Sequence, residues 1–276
     1  MALTVNSNTA SLNAINNLNQ TQRSLAGSYG RISSGLRITR AADDAAGLGV
    51  AESLGAQAAS GRVAMRNTND GISVIQTAEG AMDSVGDILA RMRELAVQSS
   101  SETLADDDRA YIQDEFEQLS EEIDRIANAT QFNGTALCDG TTTELDVQVG
   151  IMNSADDRIT ITLNDLSAAT LGVDTSAMDL SSAATAQTAI DDLDTAIGSV
   201  SSFRSDLGAV QNRLDSALSN METYTENLES AESQIRDADF AYETAELAKN
   251  QILQQAGVSV LAQAKTMNQG ALSLLG

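Results

Sequence analysis

Residues 193–238 read LDTAIGSVSSFRSDLGAVQNRLDSALSNMETYTENLESAESQIRDA. Apolar side chains recur there at Leu193, Ile197, Val200, Phe203, Leu207, Val210, Leu214, Leu218, Met221, Tyr224, Leu228, Ala231, Ile235 and Ala238. Every step is three or four residues, a mean of about 3.5, which keeps a narrow apolar seam on one side of a helix. At 1.5 Å per residue the seam is roughly 68 Å long. It cannot bury itself, so the spacing predicts other long helices alongside it.

The other end of the chain supplies them. Residues 4–36 carry a weaker helical seam: Leu12, Ile15, Leu18, Gln22, Leu25, Tyr29, Ile32 and Leu36. Gln22 interrupts it and Asn13, Asn16, Asn17 and Asn19 flank it. Asparagine is a poor helix former, so this segment is expected to be disordered alone and helical once packed. A second helix is expected over about 44–98, with the seam Ile72, Ile75, Glu79, Met82, Val85, Leu89, Met92 and Leu95. Thr103 and Asp106 resemble a capping box, and Asp106–Asp108 suit the positive end of a third helix dipole. That helix carries Ile112, Phe116, Leu119, Ile123, Ile126 and Thr130.

Helical spacing stops at the turn signal Phe132-Asn133-Gly134. Leu145, Val147 and Val149 alternate with polar residues, as do Ile159, Ile161 and Leu163, which predicts a β-hairpin with one buried face. A Ser/Ala/Thr-rich connection over 167–188 leads into the long seam. The tail, 239–276, is expected to be a helix with two apolar stripes. One holds Phe240, Leu247, Val258, Leu261, Leu272 and Leu275; the other holds Ala238, Ala245, Ile252 and Ala256. A helix apolar on two sides needs neighbours on both. The class is therefore mainly α: a long antiparallel helical bundle or coiled coil of N- and C-terminal segments, with a small central β-hairpin.

Composition agrees with long helices and thin seams. The chain has no Pro, no Trp and no His, and aromatics are 3% of it. Net charge is −23, but residues 1–42 hold Arg23, Arg31, Arg37 and Arg40 with no acid, and 241–276 is balanced. The negative excess sits in the middle, which points to ends packed away from water. The sign argues against nucleic acid and anionic membranes as partners. No window is apolar enough to insert in a membrane, and no cleavable signal peptide is visible in residues 1–30.

The chemistry of an enzyme is missing. Without His there is no imidazole base or ligand, and the single Cys138 allows neither a disulfide nor a metal cluster. Asp43-Asp44 and Asp106–Asp108 read as helix-start charges rather than a cation site. No Gly-rich phosphate loop is present, and no cofactor is expected. Asn128-Ala129-Thr130 and Asn133-Gly134-Thr135 match the weak glycosylation sequon.

A set of longer motifs resembles one family. Near the start stand Asn16-Asn17-Leu18-Asn19, Arg31-Ile32-Ser33-Ser34-Gly35-Leu36-Arg37-Ile38 and Ala41-Ala42-Asp43-Asp44-Ala45-Ala46-Gly47-Leu48. Asn69-Asp70-Gly71-Ile72-Ser73, Arg91-Met92-Arg93-Glu94-Leu95-Ala96 and Phe132-Asn133-Gly134-Thr135 follow. At the other end are Leu207-Gly208-Ala209-Val210-Gln211-Asn212-Arg213, Arg236-Asp237-Ala238-Asp239-Phe240-Ala241 and Leu261-Ala262-Gln263-Ala264. As a set these resemble bacterial flagellins, in a minimal form without added surface domains. The chain departs from the family where Lys265-Thr266-Met267-Asn268 replaces an Asn-Gln pair followed by Pro, and in having Cys138.

The resemblance implies an inner domain of 1–44 with 236–276, for assembly and channel lining. It implies an outer domain of 45–235 with its hairpin region at about 132–175. It implies a structural subunit that polymerises with itself into the extracellular flagellar filament used for swimming, exported unfolded through the flagellar secretion channel. The expected assembly residues are Leu12, Ile15, Leu18, Leu25, Ile32 and Leu36, with Phe240, Leu247, Ile252, Val258, Leu261, Leu272 and Leu275. Expected partners are a secretion chaperone, a filament cap and junction proteins. An animal innate-immune receptor is a further expected partner, through a patch at Arg91, Leu95 and Glu115. The alternative within the family is a hook–filament junction protein; outside it, a cytoplasmic coiled-coil signalling rod.

Overall fold

Helical periodicity decides the five long helices. A computed structural model of the chain describes residues 8–175 and 178–272, with side chains as far as residue 266. Its helices are α1 Thr9–Ser34, α2 Ala45–Ser99, α3 Asp106–Ala129, α4 Ala168–Leu171, α5 Ala183–Arg236 and α6 Phe240–Leu272. The strands β1 Gln131–Phe132, β2 Thr135–Ala136, β3 Glu144–Gln148 and β4 Arg158–Thr162 lie between α3 and α4. The fold is mainly α, built from long antiparallel helices with a small hairpin region. The chain forms two compact units, one of Met1–Ala58 with Asn227–Gly276 and one of Ala59–Glu226.

In the second unit α2, α3 and α5 pack their seams together. Ile75, Met82, Val85, Leu89, Met92 and Leu95 of α2 meet Ile112, Phe116 and Ile123 of α3 and Leu193, Val200, Leu207 and Leu214 of α5 in one core. Ion pairs on the rim set the antiparallel register of α2 and α5: Arg93 Nε to Asp194 Oδ1 at 2.6 Å, and Arg204 Nη1 to Asp83 Oδ1 at 2.9 Å. Glu79, the polar member of the α2 seam, sits at its edge 3.8 Å from Arg204 Nη2. Gly61 of α2 faces Thr225 of α5; a Cβ on Gly61 would lie 2.5 Å from Thr225 Oγ1.

The strands fall where alternation predicts. β3 and β4 pair antiparallel, with Leu145 opposite Ile161 and Val147 opposite Ile159. Val147, Val149, Ile159, Ile161 and Leu163 are buried in the same core as the helices. The turn signal at Phe132 makes a second, smaller hairpin, with Phe132 opposite Thr135. Its two central residues, Asn133 and Gly134, have φ of 49° and 81°, the left-handed pair that joins twisted strands in a two-residue loop.

Three boundaries differ from the spacing. The long helix begins at Ala183, ahead of its seam, because the Ser182 hydroxyl caps it by accepting from Thr185 N at 3.2 Å. It ends at Arg236, short of Ala238, and α6 restarts after Asp239, whose carboxylate accepts from Ala241 N and Tyr242 N. Thr103 is no cap: Ala105 holds that position, and the Thr103 hydroxyl pairs with Ser101 Oγ at 2.7 Å. Arg109 organises that loop instead. Its buried guanidinium donates to Ser99 O, Ser101 O and Asp106 Oδ1.

Candidate functional site

The terminal helices α1 and α6 form an antiparallel pair within the first unit. Asn8 caps α1 by accepting from Ser11 N at 3.0 Å, while its Nδ2 donates to Ala264 O at 2.9 Å. At the other end Gly35, in the left-handed conformation, stops α1 and donates to Arg31 O. There the motifs around Leu36 and Asp237 meet as a short antiparallel bridge. Arg37 N donates to Arg236 O at 2.7 Å and Ala238 N to Gly35 O at 2.9 Å, so the two connectors lace together.

Between these ends the packed face is thin and partly polar. Ser11 and Ser28 are the buried residues of α1, and Leu18, Leu25 and Ile32 are only half-buried. Across from them Glu243 and Asn250 are each 5% exposed. Arg31 Nε donates to Glu243 Oε1 at 2.6 Å, while Glu243 Oε2 and Asn250 Nδ2 have no partner. Gln251 Nε2 donates to the Tyr29 hydroxyl at 3.1 Å.

The apolar residues face outward instead. Leu12 is 57% exposed and Ile15 37%. On α6, Phe240 is 61% exposed, Ile252 66% and Val258 54%, with Tyr242, Leu253 and Val260 exposed beside them. Leu36, Leu247 and Leu261 are half-buried. The side chain of Leu272, and all of Leu275, lie outside the described residues. A chain that hides serines and shows leucines presents a surface rather than a finished core.

The three residues expected of a receptor patch part company. Arg91 and Glu115 come together on the α2–α3 surface, with Arg91 Nη2 2.8 Å and Nε 3.0 Å from Glu115 Oε1, and Arg91 Nη1 also meets Glu94. Those partners raise the guanidinium pKa, Glu115 first. Leu95 is 1% exposed and lies in the core.

Among the described residues, no three His, Cys, Asp or Glu side chains gather as metal ligands. Asp43 and Asp44 act locally: Asp43 accepts from Thr39 and Arg40, and Asp44 Oδ1 accepts from Gly47 N at the start of α2. Cys138 is fully buried, and burial pushes its thiol up to about 11, helped by the charges of Asp139 and Asp165. No helix among the described residues is long and apolar enough to cross a membrane.

Comparison with known proteins is decisive. Residues 5–143 match the bacterial flagellin N-terminal helical region, and residues 190–275 match the bacterial flagellin C-terminal helical region. The chain belongs to the bacterial flagellin family. It is 46% identical to a flagellin of Halalkalibacterium halodurans, covering 98% of this chain and 99% of the relative. Against a flagellar filament core protein of Brachyspira hyodysenteriae it is 40% identical, again over 98% and 99%. The crystal structure of Bacillus cereus flagellin matches with a TM-score of 0.50 and 36% identity, over 56% of this chain and 88% of that one.

Flagellins are structural proteins of the extracellular filament rather than enzymes, and family membership implies that this flagellin polymerises with itself. The buried polar residues of the terminal pair escape a reading by hydrophobic spacing. A signal was nevertheless present: Ser28, Glu243 and Asn250 fall among apolar positions at helical spacing, where their type is least expected.

Proposed function

We propose that this flagellin assembles through α1 and α6, which build the core of the filament only when several copies meet. The observation that supports this most directly is the exposure of Leu12, Ile15, Phe240, Ile252 and Val258 on a helix pair whose own interface is thin and partly polar. Burying one Leu, Ile or Phe side chain contributes roughly 1.5–3 kcal/mol, so a few per copy offset the ordering of weak termini. A head-to-tail contact that does not close on itself generates a filament rather than a ring.

On this reading 1–44 with 236–276 form the inner, channel-lining domain and 45–235 the outer one. The chain travels unfolded through the flagellar secretion channel, attended by a chaperone, and is placed under a filament cap beyond the junction proteins. Termini that order only on assembly hinder polymerisation before export. The ion-paired Arg91 and Glu115 are the exposed members of a patch that an animal innate-immune receptor would meet, with Leu95 as its internal support.

The test is truncation. Chains lacking residues 1–40 or 240–276 should form no filaments when seeded, while the remaining helices still melt cooperatively. Filaments of normal length from either truncated chain would overturn the proposal.

A further inference from the structure

Between α1 and α6 lies a cleft of about 450 Å³, lined in part by Arg23, Ser24, Ser28, Tyr242, Glu246 and Asn250. Beside it the helix pair leaves two hydrogen-bonding vacancies of opposite kind. Asn250 Nδ2 is a buried donor with no acceptor, and Glu243 Oε2 is a buried acceptor with no donor. The two residues stand seven apart on α6, on one face of the helix. Glu246 is occupied by Lys249 at 3.1 Å, and Arg23 has no ion-pair partner among the described residues. A native fold rarely leaves such groups unmatched unless something else matches them.

One side chain offers an N–H₂ donor and a carbonyl acceptor in a single planar group, the carboxamide of Asn or Gln. The chain displays a row of them. Asn13, Asn16, Asn17 and Gln20 follow the i, i+3, i+4, i+7 spacing of one face of α1, and all are exposed. None makes a side-chain hydrogen bond among the described residues. The three asparagines among them are poor helix formers, a cost that burial of apolar surface does not explain.

We propose that the carboxamide row on α1 of one copy docks into this cleft on a second copy, one carboxamide donating to Glu243 beside the cleft and another accepting from Asn250 and Arg23. The proposal rests on the assembly reading above and names the polar contact that sets register between copies, which a smooth apolar surface leaves loose. Both vacant atoms are shut from solvent in the single chain, so the Glu243 and Asn250 side chains turn toward the cleft as the partner enters.

The experiment is a double-mutant cycle on full-length protein, read as the critical concentration for seeded polymerisation. Asn16→Ala with Asn17→Ala removes the ligand; Asn250→Leu removes the receptor. Each should raise the critical concentration about tenfold, the scale of one hydrogen-bonded contact. Combining them should raise it no further, because both act through one contact. Asn→Ala favours the helix, so a loss of assembly cannot come from weakening α1 itself. Unchanged critical concentrations, as for a row facing open water in the polymer, or multiplying effects would overturn the proposal. A parent chain that never polymerises overturns the assembly reading, and this contact with it. A parent that polymerises beside unaffected variants overturns this contact alone.

Discussion

Arg31 and Glu243, 212 positions apart in sequence, meet at 2.6 Å across the interface of α1 and α6. Only 7% of the Glu243 side chain is exposed, against 31% for Arg31. Arg31→Ala would leave a buried carboxylate without its counter-ion. A hydrogen bond to a charged group contributes about 1.5–3 kcal/mol, with the lower end apt for a partner that water reaches. In assembled filaments, where α1 is ordered, its amide exchange should therefore quicken by about tenfold, while the core around Phe116 exchanges as before. Equal exchange in variant and parent would remove the pair from any stabilising role.

Gly61 and Thr225 make a second test. A helical Gly→Ala change ordinarily stabilises by about 1 kcal/mol. Here the new methyl meets Thr225 Oγ1 at 2.5 Å in the space between α2 and α5. Overpacking costs about 1–3 kcal/mol, so Gly61→Ala should lower the melting temperature by a few degrees. Adding Thr225→Ala should restore it, since the hydroxyl it removes is the clashing group and is buried without a hydrogen bond. If the double variant melts no higher than the single, the clash is not the cause.

Cys138 should be inert. The thiolate is the reactive species, and burial first, then Asp139 and Asp165, hold the thiol at about 11. In native protein at pH 8, alkylation should run at least about tenfold slower than in urea. Equal rates would show that the thiol is open to solvent.

Stability should be flat in mild conditions and fall in acid. Asp43 is held below its ordinary range by the hydroxyl and N–H of Thr39, Asp194 by Arg93, and Glu122 by Arg125. A carboxylate whose pKa is lower folded than unfolded contributes stability that is fully present above the unfolded value near 4. That contribution is lost as pH falls through the folded value. No histidine titrates between pH 5 and 8. The urea midpoint should therefore be constant from about pH 6 to 8 and drop below about pH 4. A midpoint that changes between pH 6 and 8 would point to another titrating group.

Much of the fold was legible because seams at 3.5-residue spacing and strict alternation each have a single geometric solution. The cores around Met92, Phe116 and Leu214 and the pairing of Val147 with Ile159 follow directly. Thr103 looked like a cap because its spacing to Asp106 was right, but Arg109, reaching back to Ser99 and Ser101, fixed the loop differently. Leu95 lies inward as its place in the α2 seam predicts, although the family resemblance also set it in a patch with Arg91 and Glu115. The outward Leu12 and inward Ser28 were hidden for a different reason: a seam says which residues want cover, and the cover for some lies beyond one chain.

The lacing of residues 35–37 to 236–238 has a further consequence. Arg37 and Ile235, 198 positions apart, are bonded through Nη2 and a carbonyl at 2.6 Å, so the chain departs and returns at a single doorway. A foreign sequence grafted at the exposed hairpin tip near Met152 would enlarge the loop without prying that doorway open. Cargo of many sizes should then ride on unaltered ends.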